Sequence, residues 1–436
     1  MQYQPYPEYG EVKEKSLGKK PVNWESRRLK FSIKLKNIKI NAKESDLEYM
    51  GMENIESFTG RKIFDEENPI TSEGVGSLFE ENDVLFGKLR PYLAKSYLCK
   101  EQGFCSTELL VFEGKKLLPK FLQYMVLSDW FVSMVDSSTY GAKMPRASWD
   151  FIGNLESPLP PEAEQEVIVN FLDRKTRQID QLIEKKKALI EKLDEQRIAV
   201  ITRAVTKGIN ENAKMKPSSV DWLGDIPEHW KVEKLKYSIH MKGGGTPNTS
   251  IHEYWNGDIP WVSPKDMKSD LISNTEDYIT ELGLKNSSTT LVDKGELLMV
   301  VRSGILRHSI PVSIAEKQVS LNQDMKALIT DKNKLLPHFL KEVIWSNQKS
   351  LLPLWSKPGC TVESIETEYM ANTKIALPPL SEQAEILKKI EEMIAPIDKM
   401  VTLANKSISL YKSYRSALIT NAVTGKIDLR NVEVGE

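Results

Sequence analysis

Residues 159–207 read LPPEAEQEVIVNFLDRKTRQIDQLIEKKKALIEKLDEQRIAVITRAVTK, and residues 377–425 read LPPLSEQAEILKKIEEMIAPIDKMVTLANKSISLYKSYRSALITNAVTG. The two stretches align without a gap at an offset of 218, and the frame extends over Leu117–Ile209 and Leu335–Ile427. It places Leu159-Pro160-Pro161 on Leu377-Pro378-Pro379, Glu164-Gln165 on Glu382-Gln383, and Ile179-Asp180 on Ile397-Asp398. Arg197, Ile201 and Thr202 meet Arg415, Ile419 and Thr420. A second register, offset by 206, joins the segments that open each half: Pro21 and Trp24 fall on Pro227 and Trp230, Leu29-Lys30 on Leu235-Lys236, and Ser32-Ile33 on Ser238-Ile239. A unit present twice predicts two similar domains related by a pseudo-twofold axis.

Within each quoted stretch the two prolines end whatever precedes them, because proline cannot continue a helix or a central strand. Glu162 and Ser381-Glu382 then supply negative charge or a cap at a helix start. Copy one runs free of proline and glycine to Lys207, whereas Pro396 in copy two is expected to start a second helix or kink one. A seam runs through Ile179, Ile183, Lys186, Ile190, Leu193, Arg197, Val200 and Ala204. Its counterpart holds Ile397, Val401, Ala404, Ile408, Tyr411, Arg415, Leu418 and Ala422. Both step alternately by four and three, the heptad spacing of a coiled coil. Neither helix is apolar enough to stand alone, so the two are expected to pack on each other, antiparallel. Arg197 and Arg415 lie on the seam. They are read as buried partners of a glutamate, as stems that snorkel to water, or as contacts to a partner protein or phosphate.

The remainder of each half has a different texture. Residues 21–158 and 227–376 mix short apolar runs with Gly, Pro, Ser and Asn. The runs beginning Asp83-Val-Leu-Phe, Leu109-Leu-Val-Phe and Glu296-Leu-Leu-Met-Val-Val predict strands. Lys120–Val135 and His338–Leu352 predict helices, each introduced by Leu-Leu-Pro with proline near the first turn. Between the halves, 209–226 is a polar linker with no apolar period.

Composition narrows the function classes. The 436 residues carry a net charge of −1, which argues against a generic polyanion binder but leaves room for a locally basic, selective one. Asp83–Lys100 holds four basic residues against one acid. No apolar run approaches the ~20 residues that span a bilayer. The polar N-terminus is not a secretory signal, and Cys99, Cys105 and Cys360 lack metal-ligand spacing, so reduced thiols in the cytoplasm are expected. Catalytic signatures are missing. There is no GxxxxGK[ST] loop, no HExxH, no GxSxG, and Gly243-Gly-Gly-Thr-Pro reads as a loop with unusual backbone angles. A non-enzyme is the default, and no metal site is expected in the chain.

The repeated Leu-Pro-Pro-x-x-Glu-Gln-x-x-Ile motif (159–168 and 377–386) followed by a heptad helix resembles the specificity subunits of Type I restriction–modification systems. Trp222-Leu-Gly-Asp-Ile-Pro-Glu-His-Trp230 and Gly245-Thr-Pro…Ile259-Pro-Trp-Val are similar to the openings of their target-recognition domains. Copy one departs from this with Ser16-Leu-Gly-Lys-Lys-Pro. The resemblance implies an α+β architecture: two α/β target-recognition domains separated by a pair of long antiparallel coiled-coil helices. The expected boundaries are 1–158, a helical region 159–208, the linker 209–226, then 227–376, a helical region 377–427 and a tail 428–436. It further implies double-stranded DNA as ligand, each domain reading half of a split asymmetric site and the helices fixing the unread spacer. The 28 residues from 178 to 205 that carry the first seam would, at ~1.5 Å each, span roughly 42 Å, against ~34 Å for one turn of B-DNA. Two methyltransferase subunits, which bring S-adenosylmethionine, and two restriction subunits, which bring ATP and Mg²⁺, complete the implied complex. Two rivals stand beside this reading: a helical scaffold without DNA specificity, and an enzyme with an unrecognised nuclease or methyltransferase site.

Base reading needs polar side chains on loops held by a rigid scaffold. In the first domain the candidates are Lys88, Arg90, Tyr92 and Lys95, then Tyr140, Lys143 and Arg146 in the loop Ser138-Thr-Tyr-Gly-Ala-Lys-Met-Pro-Arg. In the second, Trp355-Ser-Lys-Pro-Gly-Cys-Thr places Gly359 on Gly141 and contributes Lys357 and Thr361. Arg302, Arg307, His308 and Lys265 join them.

Overall fold

The computed structural model describes residues 3–12, 17–41, 43, 46–63, 74–141, 143–357, 359 and 361–432. Ser16, Cys360 and the last four residues of the tail, 433–436, lie outside them. The helices are α1 (Pro119–Leu127), α2 (Asp129–Ser137), α3 (Trp149–Asn154), α4 (Glu162–Lys207), α5 (Glu281–Lys285), α6 (Pro337–Ser346), α7 (Gln348–Trp355), α8 (Thr367–Asn372) and α9 (Leu380–Val423). The chain divides into two compact units, residues 1–187 with 404–436, and residues 188–403. The division falls inside α4 and inside α9, so each unit holds one mixed α/β domain and half of each long helix. No helix among the described residues is long and apolar enough to cross a membrane.

In the first unit an antiparallel sheet runs in the order Ile33–Lys36, Leu109–Gly114, Val84–Gly87, Ser96–Leu98. A second sheet orders Lys39–Asn41, Val75–Phe79, Gly103–Cys105 and Tyr49–Met50. The strand predicted from Asp83 is entirely apolar from Val84 on, and all four of its residues are buried, as a strand covered on both faces must be. Phe86, Phe112, Phe121 and Phe131 are fully buried where α1 and α2 cover the sheet, each contributing about 2 kcal/mol of transfer free energy. The helix expected over 120–135 is two helices. Ser128 divides them: its hydroxyl accepts the Phe131 N–H at 3.3 Å as the α2 cap and donates to the Met125 carbonyl at 2.6 Å.

The second unit repeats the plan with a five-stranded sheet, in the order Ile239–Gly243, Met325–Thr330, Leu297–Val300, Val312–Ala315, Leu271–Ile272. The helix expected over 338–352 is again broken, here at Asn347, whose side chain turns back to the Val343 carbonyl at 2.9 Å. The Gly243–Gly245 segment departs from expectation. None of the three has a positive φ. A Cβ on Gly244 would lie 2.1 Å from the Asn322 carbonyl oxygen and one on Gly245 2.1 Å from Ser288 Oγ, so close approach, not backbone angle, selects glycine here.

Two short ladders connect the two sequence registers. Glu25–Arg28 pairs antiparallel with Glu156–Leu159, and Lys231–Lys234 with Lys374–Leu377. The strand that opens each half thus pairs with the strand that runs into Leu-Pro-Pro. The Glu-Gln dipeptide after the prolines then locks the long helix to its domain. Gln165 accepts the Leu118 N–H at 2.8 Å and donates to the Lys116 and Pro160 carbonyls, both at 3.0 Å. Gln383 repeats this with Leu336 at 2.9 Å, Lys334 at 2.7 Å and Pro378 at 3.0 Å. Glu382 accepts from the Trp230 indole at 3.0 Å and contacts His229 Nε2 at 2.8 Å. Glu164 instead accepts from the Tyr6 hydroxyl and Asn23, and the Trp24 indole N–H has no partner among the described residues. Burial and the Glu164 carboxylate together push the Tyr6 phenol well above its ordinary range.

Every seam position is buried or half-buried. In the first unit Ile179 and Ile183 share a cluster with Leu418, Ile419 and Ala422, with Ile408 and Tyr411 at its edge. In the second, Ile201, Ala204 and Val205 pack in one cluster with Ile386 and Ile390. The seam arginines pair with aspartates, not glutamates. Arg415 Nε meets Asp180 at 3.0 Å, and its guanidinium also donates to the Phe58 carbonyl at 2.8 Å. Arg197 meets Asp398 at 3.5 Å and lies 5.4 Å from the Trp345 ring centroid. The Ile-Asp and Arg motifs of the two copies are therefore exchanged, once in each unit. Pro396 neither ends α9 nor starts a new helix. Pro396 is exposed, and so is Glu392, the residue whose carbonyl loses its amide partner.

Removing one partner of each of these contacts measures what the contact contributes. Arg415→Ala strands Asp180, and because the arginine side chain is only 9% exposed the cost should be about 3 kcal/mol in urea unfolding. Arg197→Ala, with a side chain 30% exposed, should cost about 1 kcal/mol or less. Gln165→Leu and Gln383→Leu each leave a backbone N–H without its acceptor and should each cost about 2 kcal/mol in the same assay.

Candidate nucleic-acid interface

The loops singled out in each domain meet at one end of its central sheet. In the first unit the chain leaves Val84–Gly87 through Lys88, Leu89 and Arg90 and turns at Pro91–Leu93. Arg90 and Ala94, at the two ends of that turn, have φ of +50° and +46°. A left-handed conformation costs a non-glycine residue ~1 kcal/mol or more, and here it is held by neighbours. The Lys88 N–H donates to the Glu108 carbonyl at 2.9 Å, the Ala147 N–H to the Lys88 carbonyl at 2.9 Å, and the Arg90 N–H to the Pro145 carbonyl at 2.8 Å. Tyr140 and Arg146 exchange two backbone hydrogen bonds that close the 140–146 loop. Arg90, Tyr92, Tyr140 and Lys143 are exposed around this frame, and Lys88 is half-buried. Arg146 is fixed by Glu108, with Nε at 3.0 Å and Nη2 at 3.1 Å; that ion pair raises the guanidinium further above its ordinary value. Lys95 turns away. Its amine donates to the Met52 carbonyl at 2.7 Å, and burial lowers it from the usual lysine range.

The second unit builds the same frame. The Val301 N–H donates to the Asp324 carbonyl at 2.8 Å, the Ile365 N–H to the Val301 carbonyl at 2.8 Å, and the Ser303 N–H to the Glu363 carbonyl at 3.0 Å. Lys88, Arg90, Glu108, Pro145 and Ala147 thus correspond to Val301, Ser303, Asp324, Glu363 and Ile365. The local offset is 213 at Lys88 and Arg90, 216 at Glu108 and 218 at Pro145 and Ala147, so only the last two lie within the gap-free register. Gly141 and Gly359 do correspond, with φ of +93° and +76°. Arg302 pairs with Asp324 at 2.5 Å, Arg307 with Glu363, and Lys357 with Glu366 at 3.7 Å. Thr361 lines an open cleft with Pro264, Ser303, Gly304 and Asp324. Lys265 is exposed beside Pro264, and His308 is exposed at the end of the Gly304–Arg307 turn.

Glu108 and Asp324 were not among the residues singled out. Each occupies one socket beside the central strand and holds an arginine, but the arginine arrives from opposite loops, Arg146 in one unit and Arg302 in the other. A lone acid just before an apolar run was the only sequence signal. The seam residues, by contrast, are occupied in packing the helices. Among the described residues no group of His, Cys, Asp and Glu could hold a metal ion.

A family model described as the Type I restriction modification DNA specificity domain matches residues 21–192 and again 227–406. A Type I restriction enzyme specificity subunit of Escherichia coli is 36% identical over 212 residues, 47% of this chain and 49% of that protein. The MjaIX specificity subunit of Methanocaldococcus jannaschii is 30% identical over 44% of this chain and 45% of that protein. These two alignments span about half the length of each relative. The MjaVIII specificity subunit of the same organism aligns over 81% of both chains at 24% identity. A solved chain, from work on assembly and conformational transition of the Type I R-M system, superimposes with a TM-score of 0.69. It is 17% identical and covers 94% of this chain and 99% of that one, a likeness of fold.

Gly141→Ala and Gly359→Ala test the shared frame. Each places a Cβ at a left-handed φ and should cost ~1–2 kcal/mol. The loss should be local, read as faster amide exchange over 138–147 or 355–365 with the rest of each unit protected.

Proposed function

Because the chain belongs to the Type I restriction modification DNA specificity family, with two copies of that domain in sequence, we propose that it is the sequence-reading subunit of such a complex and is not itself an enzyme. One observation carries the reading. The two units hold the same backbone frame at the same end of the sheet and hang different polar side chains on it: Arg90, Tyr140, Lys143 and Arg146 on one, Arg302, Arg307, His308, Lys357 and Thr361 on the other. Divergent donors on a common frame are what two different half-sites require.

The long helices set the unread spacer. α4 has 46 residues and α9 has 44, and at ~1.5 Å per residue each reaches beyond one ~34 Å turn of B-DNA. Their outward faces keep exposed apolar residues, Leu410 and Tyr414 in the first unit and Leu189, Met393 and Met400 in the second. Those faces suit the docking of two methyltransferase subunits, which supply S-adenosylmethionine. Restriction subunits with ATP and Mg²⁺ complete the complex where the system cleaves, and the assembly works in the cytoplasm.

The decisive experiment maps methylated adenines in cells carrying this chain with its methyltransferase and in cells lacking only this chain. A split motif with fixed spacing should lose methylation in the second. Identical maps, with all subunits expressed, would end the proposal. At the level of residues, a base contact among Arg90, Lys143 or Lys357 should cost about 1–3 kcal/mol on alanine substitution and relax one position of one half-site. A phosphate contact should weaken every sequence alike and flatten the salt dependence by roughly one unit of slope.

A further inference from the structure

Exposed chemistry that differs between the two units belongs to what differs in their ligands. Exposed chemistry that repeats belongs to something both units meet in the same form. One such repeat pairs an aromatic ring with a lysine. In the first unit a 3-10 turn, Leu29–Phe31, buries Leu29 and exposes Lys30 and Phe31, with Phe31 58% exposed. In the second, Leu235–Tyr237 buries Leu235 and exposes Lys236 and Tyr237, with Tyr237 59% exposed. The lysine amine stands 5.6 Å from the Phe31 ring centroid and 5.5 Å from that of Tyr237. It donates to Asn154 Oδ1 at 2.8 Å in one unit and to Asn372 Oδ1 at 2.9 Å in the other. Arg28 and Lys234 add a second cation just before each turn.

The lysine and asparagine have a structural reason to persist, since their bond ties the turn to the end of α3 or α8. The ring has none. An aromatic side chain more than half exposed in both units supports no core, and exposed aromatics beside cations are what protein interfaces use as anchors. Position separates this surface from the reading loops. Ile33 pairs with Gly114 at one end of the strand Leu109–Gly114, and Leu109 pairs with Gly87, beside Lys88, at the other. Ile239 pairs with Thr330 and Val300 with Met325 in the same way. Each ring therefore sits near the opposite end of a strand of about 20 Å from the loops that differ.

We propose that Lys30-Phe31 and Lys236-Tyr237 are two equivalent docking anchors, each taken by one of two identical methyltransferase subunits through an apolar socket rimmed by carboxylates. This rests on the reading above of a complex with two such subunits and adds a contact distinct from the helices. The phosphate backbone of DNA is also the same for both units, but it offers nothing to an exposed phenylalanine ring.

The test uses full-length chain with its methyltransferase, titrated and weighed by light scattering in solution. Wild type should take two methyltransferase subunits. Phe31→Glu and Tyr237→Glu should each weaken one of the two by at least tenfold, and the double variant should weaken both, with unfolding midpoints unchanged because both rings are exposed. Phe31→Tyr and Tyr237→Phe, which swap what the repeat already interchanges, should bind as wild type. If the double glutamate variant still takes two subunits within twofold of wild-type affinity, the anchors are wrong while the functional reading stands. Intact assembly with uniformly weaker, less salt-dependent DNA binding would assign the surface to phosphate and overturn the proposal. A wild-type chain that takes fewer than two subunits would bring down both.

Discussion

Neither long helix can bury its own seam. A stripe of Ile, Leu and Val at alternating steps of four and three, on helices otherwise dense in Lys, Glu and Ser, gains nothing until a second such stripe lies against it. The only matching stripe in the chain is the other copy. That requirement brings residues 235 positions apart, Asp180 and Arg415, into one ion pair. It also places half of each helix in each unit. A domain that opens one half of the sequence is thus finished by a helix from the other half.

The Leu-Pro-Pro-x-x-Glu-Gln motif serves that arrangement. The prolines end the last strand, and the glutamine satisfies backbone groups on both sides of the helix start. The direction in which the helix leaves the domain is fixed by three hydrogen bonds with no charge to desolvate. The glutamate is less strictly used. In one copy it meets an indole and an imidazole, and in the other a phenol and an amide, so its partner varies while the acceptor remains.

The loop frame divides constancy from variation in another way. Backbone hydrogen bonds between the strand end and the 145–147 or 363–365 segment are indifferent to side chains, so they survive divergence of the residues that carry them. An acid at the head of the neighbouring strand remains as a socket, and the arginine it holds has moved from one loop to the other. Such a frame changes its exposed donors without changing its fold, which suits the proposed reading of two different half-sites.

What the sequence alone determined is what local spacing encodes: the doubling, the mixed domains, the heptad seam, the helix starts, and the strands around Val84, Leu109 and Leu297. It also singled out loops that the fold places side by side, Arg90 beside the Arg146 loop and Arg302 beside the Thr361 loop, because a polar, glycine-bearing loop after a helix is a local pattern. Tertiary structure decided the rest. The breaks at Ser128 and Asn347 are made by side chains that bond to carbonyls three and four residues back, which an apolar period does not record, and the helix continues through an exposed Pro396. The turning of Lys95 onto the Met52 carbonyl and the close approach at Gly244 depend on neighbours remote in the chain. So do the sockets at Glu108 and Asp324, whose counterparts are hidden by insertions that shift the offset from 213 to 218. Periodicity reports which face of an element is buried, because burial repeats with the backbone; it carries no record of which distant residue completes the contact.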